Sequence, residues 1–217
     1  PECHIIGDME PINHFPGVQM WWRSIDGIMR PLMQGAPANY MKELEPWEMQ
    51  KSTDPENILR AMDEANRLGI PVFLNLEHGH QDPDVLSRYV RRATICQAVT
   101  DPAQCGECDP LTVAHKLLDA GAKTAIVTLA CDGCLVVRGK NSWRVWPPKV
   151  QAVDGCGAGA TFSTGFIYGY LKGWTLEEAA RFATAAGSLK VAQVGLKVEP
   201  VAEVKRWARQ LQVERGS

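Results

Sequence analysis

The sequence predicts an α/β layered domain with a largely parallel β-sheet. Buried-strand runs such as IPVFLNL (70–76) alternate with amphipathic helix patterns, and several of these helices carry their own capping residues. Strands separated by helices are typical of parallel sheets, because each helix returns the chain to the edge of the sheet from which it started. No repeat, low-complexity segment or linker interrupts the pattern. We therefore expect residues 1–217 to form one domain.

The predicted fold begins near residue 53, because residues 1–50 show little sustained periodicity. The helix pattern TDPENILRAMDEANRLG (53–69) has Thr53 or Asp54 as its N-cap, and Gly69 stops it. The next predicted elements are the strand at 70–76, a short helix from about Asp84 to Arg92, a strand in ATICQAV (93–99), a capped helix in DPLTVAHKLLDAGA (109–122) and a buried strand in KTAIVTLA (123–130).

The second half of the chain changes from strands to helices. The best-marked helix begins at Thr175, because Thr175 and Glu178 have the spacing of a capping box. In chain order, the predicted elements are a tight turn at Asp132-Gly133, the strand CLVVRG (134–139), the short edge segment SWRVWPP (142–148), a helix from a glycine turn to Gly173, the helix from Thr175 through AARFATAAGSLKVAQ (179–193), and a final amphipathic helix, PVAEVKRWARQLQ (200–212), that closes the chain.

The composition argues against several classes of function. The 217 residues are 45% hydrophobic and 22% charged, with a formal net charge of -2 and a pI of about 6.3. This balance gives no general attraction to nucleic acid or to an anionic membrane surface. No apolar run approaches the roughly 18 residues that cross a bilayer, and the N-terminus PECHIIGDME lacks the layout of a signal peptide. We expect a cytoplasmic protein, and the missing initial methionine fits a processed chain or part of a longer one.

The seven cysteines favour free thiols in a reducing compartment, since their number is odd and no secretion signal precedes them. Four of them form two C-x-x-C pairs, CGEC (105–108) and CDGC (131–134). These pairs could hold a structural zinc ion or act as a redox dithiol. Alternatively, Cys131 and Cys134 are small strand residues on either side of a tight turn. We favour the second interpretation and predict no metal site, because a helix pattern and a strand separate the two pairs.

The most informative stretch is VDGCGAGATFSTG (153–165), a glycine turn that opens a helix. The N-terminus of a helix presents unpaired amides and the positive end of its dipole, and glycines before it let an anion approach the main chain. Gly155, Gly157 and Gly159 meet this requirement, although no Lys-Ser/Thr pair follows as in a Walker A loop. Glycines of this kind also serve close helix packing. The turn alone leaves both functions open.

Two neighbouring motifs give the turn its context. Upstream lies VTLACDGCLVV (127–137), and downstream lies AAGSLKVAQVG (185–195). The turn itself contributes Asp154, Gly157, Ala158, Gly159 and Phe162. Through these residues and the two motifs, the chain over about 110–200 resembles the ribokinase-like carbohydrate kinases of the PfkB family, in which the turn residues have the same spacing. The likeness is looser over 28–109, where QGAPANYM and PVFLNLEHG occupy the places of a glycine-alanine segment and a central strand. The family's N-terminal lid and sugar-binding portion is not recognisable.

The resemblance implies a fold, ligands and site residues. The fold would be a ribokinase-like three-layer α/β/α sandwich, and the ligands ATP, Mg²⁺ and a sugar or nucleoside, with a monovalent cation as an option. The amides of Gly157, Ala158 and Gly159 would hold the transferring phosphate, and Asp154 would help to place a cation beside them. The residues that would border the nucleotide are Thr128, Asp132, Gly133 and Gly187.

Ala160 stands where the family has the aspartate that acts as general base. Alanine cannot accept the proton of a sugar hydroxyl, and loss of a general base typically lowers the rate by ~10²–10⁴-fold. Asp154 is not expected to replace it, because it lies on the far side of the turn. The chain is therefore either a carbohydrate or nucleoside kinase impaired by natural or engineered loss of the base, or a non-catalytic nucleotide-binding or scaffold protein. A zinc-dependent module is a third hypothesis. The sugar and the oligomeric state stay open, a homodimer being one option.

Two further groups of residues have chemical potential. The loop NLEHGHQDPD follows a strand, and the carboxyl ends of strands in open α/β sheets face the ligand crevice. A solvated loop is the interpretation we favour over a metal cluster. Cys156 lies at a helix N-terminus, where a thiolate nucleophile is favoured, but no histidine near it in sequence indicates a dyad. In the loop NLEHGHQDPD, the side chains that could bind a metal are Glu77, His78, His80, Asp82 and Asp84.

Overall fold

A computed structural model describes residues 21–23, 29–31, 55–100, 109–195, 197 and 199–216. The chain divides into two compact units, residues 1–64 and 65–217. In the first unit, strands β1 (Trp21–Arg23) and β2 (Met29–Pro31) pair in antiparallel fashion. The expectation of one domain over residues 1–217 stays a prediction.

The predicted helix at 53–69 is confirmed as α1 (Pro55–Arg67). Its proposed N-caps, Thr53 and Asp54, lie outside the described residues. Gly69 has a φ of 71°, the left-handed conformation in which glycine commonly ends a helix. The stop signal was therefore read correctly from the sequence.

A six-stranded sheet forms the centre of the second unit, with its strands side by side in chain order. The first three strands are parallel, and each later strand is antiparallel to its neighbour. The sheet is therefore mixed: short turns join the third, fourth and fifth strands, and the last strand returns antiparallel to its neighbour after three helices. The strands are β3 (Phe73–Asn75), β4 (Ile95–Val99), β5 (Thr124–Thr128), β6 (Cys134–Arg138), β7 (Asn141–Val145) and β8 (Val213–Gly216).

Several helices of this unit begin at residues whose side chains cap the helix. The carboxylate of Asp109 accepts a hydrogen bond from the amide of Thr112 (2.9 Å), and the predicted capping box between Thr175 and Glu178 is present. The helices are α2 (Pro83–Arg88), α3 (Pro110–Asp119), α4 (Ala158–Leu171), α5 (Leu176–Val191) and α6 (Val201–Ala208), and short 3₁₀ turns lie at Gly79–Gln81, Val90–Arg92 and Ala130–Asp132.

Two apolar cores lie on opposite faces of the sheet, because side chains alternate between the faces along each strand. Ile126 packs in the core that contains α4, α5 and α6, whereas its neighbours Ala125 and Val127 pack in the core that contains α2 and α3. Phe166 on α4 and Leu117 on α3 are fully buried in these respective layers. The predicted α/β/α sandwich is confirmed.

The antiparallel side of the sheet differs from the prediction. The segment at 142–148 was predicted as an edge, but β7 pairs with β6 on one side and with β8 on the other. The final helix ends at Ala208, and the chain continues into β8, which the sequence analysis missed. The segment VERG carries two charged residues and a glycine, so it lacks the apolar alternation that marks a strand.

The turn between β5 and β6 is also longer than predicted. Thr128 pairs with Cys134, and a 3₁₀ turn at Ala130–Asp132 lies between them in place of a two-residue turn. Cys131 is consequently exposed in the turn, whereas Cys134 is buried on β6. The description of both cysteines as strand residues was wrong for Cys131.

Candidate functional site

The start of α4 lies at the carboxyl edge of the parallel strands. The hydroxyl of Ser163 donates to Oε1 of Gln97 (2.8 Å), and three residues further along α4 the ring of Phe166 lies 6.4 Å from that of Phe73. Phe73 pairs with Ile95, two residues before Gln97, so α4 runs opposite to β4. The N-terminus of α4 therefore lies at the edge where open α/β sheets bind their ligands.

The glycine turn leaves backbone amides available at this helix start. Gly157 is the N-cap, with a φ of 76° that favours glycine, and no side chain caps the helix. The amide of Ala158 donates to the carbonyl of Gly155 (3.2 Å). Within the part of the chain that the structure describes, the amides of Gly157, Gly159 and Ala160 have no acceptor. Such amides, with the helix dipole behind them, stabilise an anion.

The space in front of the turn is open. A Cβ atom placed on Gly155 or Gly159 would meet no atom within 4 Å, and Gly159 and Ala160 are exposed. Two surface depressions of about 370 and 400 Å³ lie elsewhere, one at Trp146 and Trp207 and the other around His115 to Lys123. The glycine turn is thus an open surface and not an enclosed cavity in the described residues.

Gly187 on α5 allows close packing of α5 against α4. A Cβ atom on Gly187 would lie 3.3 Å from the carbonyl oxygen of Ala158 and 3.5 Å from Cβ of Phe162. The absence of a side chain at this position lets α5 approach the first turn of α4. Contact between Gly187 and a nucleotide stays a prediction.

Asp154 connects the turn that precedes α4 with the segment that follows α5. Its Oδ1 atom accepts from the amide of Cys156 (2.9 Å), and its Oδ2 atom accepts from the amide of Gly195 (3.0 Å). These two hydrogen bonds hold the pKa of Asp154 below its usual range, and the positive charge of Lys190 lowers this pKa further. Asp154 is therefore a fixed carboxylate at neutral pH.

Lys190 is the partner of Asp154 that the sequence analysis did not identify. Its side chain is 1% exposed, and Nζ lies 3.2 Å from the carbonyl oxygen and 3.6 Å from Oδ2 of Asp154. The helical period could have indicated this burial, because Lys190 follows Gly187 by three residues on the inner face of α5. A lysine is nevertheless read as a surface residue unless a buried partner is known.

Three of the residues predicted to border the nucleotide lie at the end of β5 and in the turn before β6. The hydroxyl of Thr128 donates to the carbonyl of Ala98 (3.3 Å), and Asp132 is exposed in the turn that follows. Gly133 has a φ of 82°, and a Cβ atom there would lie 2.1 Å from the carbonyl oxygen of Val145. Only glycine fits this close approach of two backbones.

Helix α5 connects this turn with the start of α4. Sγ of Cys134, the first residue of β6, lies 3.4 Å from Oγ1 of Thr184 on α5. Gly187, about one turn further along α5, contacts Ala158. The turn after β5 and the N-terminus of α4 therefore lie at the same edge of the sheet. Their joint contact with one nucleotide stays a prediction.

The loop after β3 is more buried than expected. His80 is 2% exposed, where a solvated loop was predicted, and burial lowers its pKa despite the nearby backbone of Glu77. Glu77 has a φ of 51°, and its amide donates to Oδ1 of Asn75 (3.0 Å). Asp82 caps α2 through its side chain. Among the described residues, no group of three metal-binding side chains is present here or elsewhere.

The cysteines do not present a metal-binding pair in the described residues. Cys134 is fully buried, which raises the pKa of its thiol to about 11, whereas Cys131 is exposed. The two thiols of this C-x-x-C pair therefore lie in different environments. Cys105 and Cys108 lie outside the described residues, and the expectation that Cys156 is not a nucleophile stays a prediction.

The family comparison gives this site its context. The model of the pfkB family carbohydrate kinases matches residues 98–201, which include both the turn after β5 and the glycine turn. Over these residues the chain is similar to the pfkB family carbohydrate kinases. The sequence-based resemblance over about 110–200 is confirmed.

Among the pfkB relatives is the ATP-dependent 6-phosphofructokinase of Thermoanaerobacterium thermosaccharolyticum. It is 27% identical over 162 residues, which cover 70% of this chain and 50% of that enzyme. The 1-phosphofructokinase of Escherichia coli is 35% identical over 94 residues, covering 42% of this chain and 30% of that enzyme. The chain thus spans half or less of the length of these pfkB kinases.

Solved structures of related kinases confirm the ribokinase-like fold. The ribokinase of Thermotoga maritima superimposes with a TM-score of 0.61 at 23% identity, covering 88% of this chain and 69% of that one. The aminoimidazole riboside kinase of Salmonella enterica, solved with its riboside and an ATP analogue, gives 0.59 at 22% identity, over 69% and 56%. The phosphofructokinase-2 of Escherichia coli, solved with potassium, gives 0.58 at 21% identity, over 71% and 52%. No helix in the described ranges of our chain combines the length and apolarity needed to cross a bilayer.

Proposed function

We propose that this chain is an ATP-dependent carbohydrate kinase of the pfkB type whose phosphate-binding turn is intact and whose general base is missing. The observation that carries the proposal is the open N-terminus of α4, where Gly157 is the cap and the amides of Gly159 and Ala160 are available to an anion. The carboxyl edge of parallel strands is the place where such a site is expected. The family match over residues 98–201 supports a sugar as the phosphoryl acceptor.

We infer the division of labour from the resemblance and from the turn together. The amides of Gly157 and Gly159 would bind the oxygens of the transferring phosphate, for which ATP is the donor. The resemblance adds the amide of Ala158, which would first have to leave the carbonyl of Gly155 to which it donates (3.2 Å). Mg²⁺ would arrive with the nucleotide, because the described residues hold no group of three metal ligands and Mg²⁺ is commonly bound largely through phosphates. Thr128, Asp132, Gly133 and Gly187 would border the nucleotide. The names of the relatives make phosphorylated fructose the first acceptor to test.

Ala160 limits the chemistry at this site. Its methyl group is exposed at the first turn of α4 and can neither take a proton nor orient a hydroxyl. Asp154 is a poor replacement, because its two backbone hydrogen bonds and its ion pair with Lys190 lower its pKa and so weaken it as a base. The same observation favours a second candidate function, a non-catalytic protein that binds nucleotide or a partner. A cytoplasmic location and a homodimer remain predictions.

Restoring the carboxylate separates the two candidates. Ala160→Asp places an acid in the first turn of a helix, where the dipole favours it, so we expect the variant to fold. The expected result is an increase of ~10²–10⁴-fold in ADP release with a panel of sugars and sugar phosphates, and no increase for Ala160→Asn, which has no base. An Ala160→Asp variant that binds ATP but remains inactive on the whole panel would favour the non-catalytic protein.

Nucleotide binding tests the phosphate site itself. We expect calorimetry to detect Mg·ATP binding to the chain with Ala160, because the anion site and the base are separate groups. Gly159→Ala should weaken this binding, since its new methyl group points into open space in front of the turn. Thr164→Ala, at an exposed position on the next turn of α4, is the control and should bind as the parent chain does. Absence of binding at millimolar nucleotide would contradict the proposal.

A further inference from the structure

The surroundings of Asp154 attract a positive charge. Its carbonyl oxygen and its Oδ2 atom both face Nζ of Lys190, at 3.2 and 3.6 Å. The amides of Val153 and Asp154 donate to the carbonyl of Val191, so this segment lies against the C-terminal end of α5. The C-terminal end of a helix carries partial negative charge, which adds to that of the carboxylate.

Lys190 already supplies this charge from within the protein. Its side chain is 1% exposed, and burial of an ammonium group is unfavourable unless the group is paired and hydrogen-bonded. Asp154 provides both kinds of contact, through its carboxylate and its carbonyl. The ammonium therefore occupies the position next to Asp154 at which the resemblance places a monovalent cation.

A free cation does not fit beside Asp154 in this arrangement. The two oxygen atoms of Asp154 that could bind it face the ammonium, and Oδ2 additionally accepts from the amide of Gly195. A second positive charge within about 4 Å of the buried ammonium would be repelled by it. We infer that the ammonium of Lys190 replaces the monovalent cation, so that the glycine turn keeps its conformation without potassium.

The consequence for the turn follows from the connections of Asp154. The carboxylate that Lys190 pairs with also holds the amide of Cys156, one residue before the N-cap Gly157. An internal charge on α5 would thus fix the entrance of α4 at any potassium concentration. Phosphate binding by this turn rests on the proposed function. The replacement of a monovalent cation by Lys190 does not depend on it.

Thermal unfolding in potassium chloride, compared with choline chloride at equal ionic strength, tests the inference. The Tm of the parent chain should not depend on which cation is present. Lys190→Met keeps most of the apolar stem but removes the ammonium, so potassium should enter and raise the Tm of this variant by about 3–5 °C at ten times its Kd. Lys140→Met, at an exposed lysine between β6 and β7, is the control and should behave as the parent.

Calorimetry of Mg·ATP in the same two salts provides the second readout. The affinity of the parent should be equal in both, and that of Lys190→Met should be several-fold higher in potassium. A saturable potassium-dependent rise in the Tm of the parent chain would overturn the inference, and this measurement needs no variant. A folded Lys190→Met variant whose Tm is indifferent to potassium would overturn it as well. Failure of ATP to bind in either salt, with the Tm results as expected, would reject only the proposed function.

Discussion

At the scale of single residues, Asp154 shows how one carboxylate can organise a turn. It accepts hydrogen bonds from the amides of Cys156 and Gly195 and pairs with the ammonium of Lys190. All three contacts favour the ionised form, since each places a donor or a positive charge against the carboxylate. The turn before α4 is therefore connected to the end of α5 through a single charged group.

The pH dependence of stability should reveal this role. The pKa of Asp154 in the folded chain lies below its value in the unfolded chain, ordinarily about 3.9, so the ionised carboxylate stabilises the fold above that pH. This contribution is lost as the pH falls through the lower, folded-state pKa. Asp154→Asn should therefore reduce the free energy of unfolding at pH 5–7 and lose its effect towards pH 3, as measured by urea unfolding.

Asp119→Asn is the control for this experiment. Asp119 is an exposed carboxylate in the last turn of α3, and its substitution should change stability little at any pH in the range. A constant difference between Asp154→Asn and the parent from pH 7 to pH 3 would show that the charge of Asp154 is not the stabilising feature.

The role of a residue was predictable when the residues it acts with are close in sequence. It was not predictable when its partner is distant in sequence. Asp154, Gly157 and Ala158 lie within five positions, so the sequence displays their relation directly. Lys190 and Gln97 could not be identified in this way, because their partners Asp154 and Ser163 lie 36 and 66 positions away in the sequence. Both are polar residues in buried positions, and only the tertiary structure supplies the groups that satisfy them.

At the scale of elements, α4 and α5 pack closely against each other. Glycines on α4 allow this approach: a Cβ atom on Gly165 would lie 3.1 Å from Cα of Ala183, and one on Gly169 would lie 3.0 Å from Cα of Ala179. Alanines on α5 complete the contact and are fully buried. The crossing therefore depends on small residues on both helices.

Gly169→Ala should disturb this packing. The new methyl group would also lie 2.8 Å from the ring of Trp174, so either the helices must separate or the ring must move. We expect the free energy of unfolding to fall by about 1–3 kcal/mol, even though alanine is the better helix former. Gly159→Ala, whose methyl group meets no atom within 4 Å, should leave stability unchanged or raise it by up to about 1 kcal/mol. Equal urea midpoints for the two variants would contradict this account.

Elements with strong terminal signals were predicted well. The capping box at Thr175 and the capping aspartate before α3 are visible in the sequence because the interacting groups are three residues apart. Strand β8 has no such signal, since its place in the sheet depends on β7 and not on its own composition. The turn at Ala130–Asp132 was misjudged because the Asp-Gly pair suggested a shorter loop than the one that forms.

At the scale of the whole molecule, β8 returns the chain to the sheet after three helices. It pairs with β7 over four residues, and Arg215 forms two contacts with Glu177 at the start of α5, at 2.6 and 2.8 Å. The strand therefore joins the last part of the sheet to the helical layer. Because β8 covers one side of β7, the edge of the sheet is the short, charged strand VERG and not β7.

Truncation after Gln212 should test this contribution. Loss of four cross-strand pairs is expected to lower the free energy of unfolding by about 1–4 kcal/mol and to promote aggregation, measured by urea unfolding and light scattering. Arg215→Ala removes only the ion pair with Glu177. Because Arg215 is 69% exposed, that variant should lose little stability. A truncation no more harmful than Arg215→Ala would show that the strand pairing is unimportant.

The layering of the second unit was predictable because it follows from patterns that recur every few residues. Buried strands such as β5 and amphipathic helices such as α3 were recognised separately, and their alternation indicated the parallel part of the sheet. The antiparallel part was less accessible, since it depends on which strands become neighbours. The mixed character of the sheet is thus a property of long-range pairing and not of any one segment.

The pairing of β8 also has a kinetic consequence. Val145 pairs with Val213, 68 positions later in the chain, whereas Arg138 pairs with Asn141 across a short turn. Closing the longer connection costs about 3 kcal/mol more in chain entropy than closing the shorter one, unless the intervening helices have already shortened it. The last strand should therefore dock late during folding, after α4, α5 and α6 have packed onto the sheet. Until then the outer backbone groups of β7 are unpaired in the nascent chain and open to pairing with another chain.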